Sequence, residues 1–214
     1  MKAYFLRGGR YLRYDLAVDA VDAGYPKPIT RGWSGLVGTG FEADVDSALD
    51  LGTGKVAWFQ SDRFLRLDQR RNAVDGKVLA TRDGWRGFAD AGFADRVDAS
   101  VNWGNGKAYF FRGESYLRYD LGAGRVDDGF PLPIAGQWPG LAEAGFATGL
   151  DAAMSRGDKA YFFQGDRYLR YDVAADTTDP GYPLPLAGHW PGFDEAGFTR
   201  GVDAAWVKLL PGAP

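Results

Sequence analysis

"KAYFFRGESYLRYD", residues 107–120, is one of four copies of the same text. It stands as "KAYFLRGGRYLRYD" from Lys2, as "KAYFFQGDRYLRYD" from Lys159 and, in a worn form, as "KVAWFQSDRFLRLD" from Lys55. Each copy holds two runs rich in aromatic and aliphatic residues around a short polar turn, the pattern of a β-hairpin. Three further markers keep the same order and the same period of 52 or 53 residues. They are the tryptophans Trp33, Trp85, Trp138 and Trp190, a "GF" ending at Phe41, Phe93, Phe146 and Phe198, and "VDSA", "VDAS", "LDAA" and "VDAA" at Asp46, Asp98, Asp151 and Asp203. Self-similarity at a fixed period of this length marks a repeat architecture, because one such unit cannot bury its own apolar faces.

Within a repeat, "VDAA" predicts one strand, "KAYFF" a second and "YLRYD" a third. "YPKPI", "FPLPI" and "YPLPL" predict a fourth, at an outer edge, since proline donates nothing to a ladder. "WPGLAEAGF" predicts a single helical turn between Pro139 and Gly145. Four strands per fifty residues, repeated, is the pattern of a propeller blade. The text opens at "KAYF" and closes on "GVDAAW", so the inner strand missing from the first blade has to come from residues 202–206. The expectation is an all-β, four-bladed propeller over residues 1–214, with repeats of approximately 2–49, 50–101, 102–154 and 155–206 and the ring closed by its two ends, leaving no open blade edge.

These residues resemble the repeat of the hemopexin-like family, and the resemblance covers essentially the whole chain. It is poorest in the second repeat, where Ala57 and Trp58 replace the Tyr-Phe pair, Leu67 replaces a tyrosine and both prolines are missing. The family implies an ion in the central channel, Ca²⁺ or Na⁺, near the aspartate of each "DAA" word. The matching positions are Asp46, Asp98, Asp151 and Asp203. An unpaired inner edge aims backbone carbonyls at the axis, and a ring of hard oxygens suits such an ion. The competing reading is that each aspartate braces its own strand. Seed albumins of legumes, also members, bind polyamines, and some form homodimers. In hemopexin, paired histidines between two propellers hold haem. This chain has one histidine, His189, in "AGHWPGF", so haem would need a second copy or an open sixth position.

Other repeated residues read as structure. Arg13, Arg66, Arg118 and Arg170 stand two places before Asp15, Asp68, Asp120 and Asp172, which predicts ion pairing at blade edges. The four marker tryptophans predict packing between blades. The segments that differ between repeats are the exits of the inner strands: "DLGTG" at 50–54, "NWGNG" at 102–106, "SRGD" at 155–158 and the tail from Lys208. They should meet at one mouth of the channel, with Trp103 and Trp206 as unmatched aromatics suited to a small cation or an aromatic ligand.

Composition bounds the partners. With 25 basic and 28 acidic residues and a pI near 5.2, the chain is no electrostatic match for nucleic acid, and no apolar run is long enough to insert in a membrane. The sequence has no cysteine, which excludes disulfides and leaves the compartment open, and no secretory apolar core follows Met1, which favours the cytoplasm. G-x-S-x-G, H-E-x-x-H and P-loop signatures are absent. Three readings stand: a binding module for a small ligand, as monomer or homodimer; an enzyme without a recognised motif, such as a cyclase or acid–base catalyst at the channel mouth; and a docking module for a protein partner.

Overall fold

The computed structural model describes residues 1–208. Four antiparallel sheets stand in a ring, one per repeat. Their innermost strands are Ser47–Asp50, Ala99–Asn102, Ala152–Arg156 and Ala204–Lys208, each beside the next around the channel. Ring closure is as the word order predicts: Ala204–Lys208 pairs with Lys2–Arg7, placing Lys208 opposite Lys2 and Ala204 opposite Leu6.

The repeated hairpin follows from its residues. Lys107–Arg112 pairs with Ser115–Asp120 through a two-residue turn. Gly8, Gly113 and Gly165 take φ of +54°, +56° and +54° at this turn. Glycine has no Cβ to clash in that left-handed region. The worn second repeat puts Ser61 there at φ +52°, a conformation costing a side-chain-bearing residue about 1 kcal/mol. Outside the hairpin the fourth strand is split in two. The proline pieces, such as Leu132–Pro133, pair with one end of the third strand, and a piece the sequence did not reveal, such as Arg125–Val126, pairs with the other. The turn after Trp138 is helical in its bonding, with Ala144 N–H donating to Gly140 O at 3.1 Å, and Gly145 ends it at φ +77°. The equivalent segment of the last repeat is a one-turn helix, Phe193–Ala196.

The cores lie between blades rather than within them. Phe5 packs against the fourth blade while its neighbour Leu6 packs against the second, because successive strand residues face opposite sides. Each marker tryptophan is at least 94% buried at one of these interfaces. Trp138 meets Phe111 at 5.3 Å and Phe162 of the next blade at 5.6 Å. In the second repeat Trp58 fills the space its departures from the pattern would otherwise leave. It is fully buried and packs edge-on to Trp33 and Trp206.

The blade-edge ion pairs form with different partners from those expected. Arg13, Arg118 and Arg170 reach Asp22, Asp127 and Asp179, while Asp15, Asp120 and Asp172 belong to Lys2, Lys107 and Lys159. Each lysine bridges both carboxylates, so the repeated charges close into compact clusters; in the second blade Lys55 holds Asp75 at 2.7 Å and Arg66 stands 3.8 Å away. The sequence spacing of two hid this, because residues two apart on a strand share a face but a hairpin brings closer partners across it.

Candidate functional site

The two mouths of the channel are built from opposite ends of the same four inner strands. At the entry mouth Asp46, Asp98, Asp151 and Asp203 come together around a cavity of about 230 Å³, with Arg96 among them. Each aspartate is first a brace. One carboxylate oxygen accepts the N–H of the hairpin turn in its own blade: Ser61 for Asp46 at 2.6 Å, Gly113 for Asp98 at 2.8 Å, Gly165 for Asp151 at 2.6 Å and Gly8 for Asp203 at 2.6 Å. Arg96 Nε lies 2.5 Å from the second oxygen of Asp98. Burial pushes the carboxyls of Asp151 and Asp203 above the ordinary range, and neighbouring aspartate charge adds to it. Among the described residues no three His, Cys, Asp or Glu side chains converge as a metal-binding group. The donor set therefore does not fit a carboxylate-ligated metal centre.

The exit mouth is different. Three of the four exits, 50–54, 102–106 and 155–158, meet around a cavity of about 620 Å³, walled by Leu51, Trp103, Met154 and the strand residues Ala48, Ser100, Ala153 and Ala205, with Arg156 at its border. The part of the tail beyond Lys208 lies outside the described residues. Below the mouth, neighbouring strands are stitched by side chains. Ser47 and Ser100 hydroxyls are 2.7 Å apart, Asn102 Nδ2 donates to Asp50 O at 2.9 Å, and Ser155 Oγ donates to Asn102 O at 2.7 Å. The equivalent side chains in the other two blades are Val207, which has no donor, and Asp50. Asp50 also lines the cavity, and its carboxylate accepts the Gly52 N–H at 3.0 Å. Burial raises its pKa, with only that N–H pulling the other way.

Trp103 and Trp206 both border this cavity. Trp103 is half-buried, with its ring against Tyr109 and Trp138. Trp206 is 98% buried, stacked on Tyr4 at 5.1 Å, with its indole N–H donated to Gln69 Oε1 at 3.1 Å. Its ring thus belongs to the interface between the first and second blades, and Trp103 offers the freer aromatic face. His189 is in neither mouth. It stands at an outward groove between the fourth and first blades, with Nδ1 3.2 Å from Ala187 O. A groove of about 300 Å³ with a single imidazole is at the floor of small-ligand pockets and does not fit a haem macrocycle.

Asp50 and Arg156 are the residues that reading by segment left unnamed. Their signal was present: position 50 aligns with Asn102, Ser155 and Val207, and position 156 with Leu51, Trp103 and Lys208, two positions where the repeat does not repeat.

Comparison with known proteins agrees with this architecture. Albumin-2 of Lathyrus sativus is 27% identical over 161 residues, 71% of this chain and 71% of that protein. The hemopexin fold protein CP4 from cow pea superposes with a TM-score of 0.81 at 21% identity, over 91% of this chain and 92% of that one. A plant lectin with two metal binding sites from Cicer arietinum gives 0.79 at 24% identity over the same shares. The hemopexin sequence profile matches residues 2–38, 97–142 and 150–195, more than half of the chain, and passes over the worn second repeat. The chain belongs to the hemopexin family.

Proposed function

We propose that this protein is a non-catalytic binding module whose ligand is a small cation with an apolar body, such as a polyamine, held in the exit mouth. The observation that carries the reading is Asp50, the one carboxylate residue among the described residues lining a cavity otherwise walled by apolar and neutral polar residues, with Arg156 at its border. A half-buried carboxylate with one N–H donor is costly to ionise, and an ammonium group beside it relieves that cost. Trp103 supplies a ring face for the cation or for its methylene chain. The kinship with seed albumins and lectins supports binding rather than catalysis, as fold-level analogy. An acid–base catalyst would need two titratable groups poised apart in one site. Among the described residues lining the cavity, no second carboxylate and no imidazole stands beside Asp50.

Titration with spermidine and with tetramethylammonium, followed by tryptophan fluorescence and calorimetry, tests this. Asp50→Asn should weaken binding about tenfold or more, the scale of a charge-assisted contact. Undiminished affinity in that variant would remove Asp50 from the site and the reading with it.

At the entry mouth the same reading includes a structural Ca²⁺ or Na⁺ held by main-chain oxygens, the aspartates supplying potential. The two metal sites of the Cicer arietinum lectin support an ion in this fold. Elemental analysis of purified protein should find the ion in both wild type and Asp151→Ala. Its loss from a folded variant would make the side chains the ligands.

A further inference from the structure

The groove between the fourth and first blades carries chemistry that the repeat does not require. Tyr161, Tyr168, Tyr182 and Arg170 line it, and these are repeat residues. The first blade has Tyr4, Tyr11, Tyr25 and Arg13 in their places, and the third has Tyr109, Tyr116, Phe130 and Arg118. Only the fourth blade adds Arg156 and His189. Where Arg156 stands, the other blades have Leu51, Trp103 and Lys208; where His189 stands, they have Gly32, Gly84 and Gln137.

The equivalent spaces of the first and third blades are filled. In the first blade a Cβ at Gly32 would lie 2.4 Å from the Tyr11 hydroxyl, so the tyrosine occupies the place of a side chain there. Tyr11 and Trp33 centroids are accordingly 4.4 Å apart, against 5.5 Å for Tyr168 and Trp190. In the third blade the Trp103 ring fills the gap beside Tyr109 and Trp138. The fourth blade keeps an open groove of about 300 Å³.

Its polar groups are mostly donors. Arg156 Nη2 donates to Leu16 O at 2.9 Å, and among the described residues the guanidinium has no carboxylate partner. Arg170 engages Asp179 through Nε and lies 5.0 Å above the Tyr182 ring, which leaves its terminal nitrogens for the groove. The one lining carboxylate, Asp19, is held by the Tyr14 hydroxyl at 2.9 Å. Two guanidiniums, three phenols and an imidazole exceed what the two oxygens of a carboxylate can accept. They match the several oxygens of a phosphate, which guanidinium meets in a paired geometry.

We propose that this groove binds a phosphate group, either free or carried on a flat ring that the tyrosines flank. The site is distinct from the exit cavity of the cation reading except that Arg156 borders both. The test is calorimetric titration of the full chain at low salt with inorganic phosphate and with phenyl phosphate. Saturable one-to-one binding is expected, weakened about tenfold by Arg156→Gln and about threefold by His189→Gln, the scale of one charge-assisted and one ordinary hydrogen bond. Arg125→Gln, in the exposed outer strand of the third blade, should change nothing. Equal affinity for the two probes would assign free phosphate, and tighter phenyl phosphate a ring-borne group. His189→Gln should leave spermidine binding intact, so failure here and failure of the cation reading are separable. No saturable binding of either probe, or binding that folded Arg156→Gln and His189→Gln proteins retain in full, would overturn the proposal.

Discussion

The entry and exit mouths use the same four strands and reach opposite results. At entry the same residue appears four times, and each aspartate holds the turn of its own hairpin. At exit the equivalent positions are Asp50, Asn102, Ser155 and Val207, then Leu51, Trp103, Arg156 and Lys208, and all but Lys208 line a cavity. A residue that recurs in every blade serves an interface that recurs in every blade. A ligand without fourfold symmetry needs walls that differ, and the exit mouth and the fourth inter-blade groove supply them.

The largest effect should come from the shared strands themselves. A chain ending at residue 201 lacks the inner strand of the first blade and exposes the edge of Lys2–Arg7. It should show no cooperative thermal transition by circular dichroism, because the apolar surface of two interfaces loses cover. A truncated protein melting like the full chain would show that closure is not what holds the ring.

Stability should separate the mouths next. Asp151→Ala leaves the Gly165 N–H without its carboxylate acceptor, a loss of about 1–2 kcal/mol in urea unfolding. Asp50→Asn removes a buried charge that braces only its own exit turn, and should leave the unfolding midpoint unchanged or slightly raised. The reverse order would place the structural load at the exit.

The smallest effect is the pH dependence. The Lys2 ammonium and then the Ala17 N–H hold the Asp15 carboxyl down at about 2, and Lys107 with the Ala123 N–H does the same for Asp120. For a depressed carboxyl the unfolded chain binds more protons between the two pKa values. The stabilisation is therefore present above the unfolded value of about 3.9 and is lost as pH falls toward 2. Asp50, Asp151 and Asp203, raised by burial, act with the opposite sign: their ionisation costs stability as pH rises through their folded values. Thermal midpoints should drop on acidification from pH 4 to pH 2, and Lys2→Gln should flatten that limb. An unchanged acid limb in Lys2→Gln would mean the edge clusters contribute nothing.

Much of the fold could be read from recurrence. Lys107, Trp138, Phe146 and Asp151 each have counterparts at one spacing, and a period of 52 residues with hairpin text admits few architectures. The convergence of the exit loops was legible for the same reason, since equivalent strand ends in a ring must meet. The chemistry within that mouth was not. Nothing in "VDSALDLGTG" says that Asp50 borders the exit cavity while Asp46 caps a turn, because both are aspartates at the ends of one short inner strand, and what separates them is that the hairpin turn of the same blade reaches Asp46. Trp206 reads like Trp103 in sequence, yet Gln69 of another blade takes its N–H.

The chain's order of words specified the ring, the number of blades and the closing strand, because β periodicity and repeat spacing are local properties written along the backbone. Which carboxylate is spare, which aromatic keeps a free face and which groove stays open depended on neighbours brought close by the fold, from the hairpin turn 14 or 15 residues on to the Gln69–Trp206 contact between blades. Those neighbours meet only when the hairpins form and the blades pack, and burial and hydrogen bonding then give chemically identical side chains different surroundings.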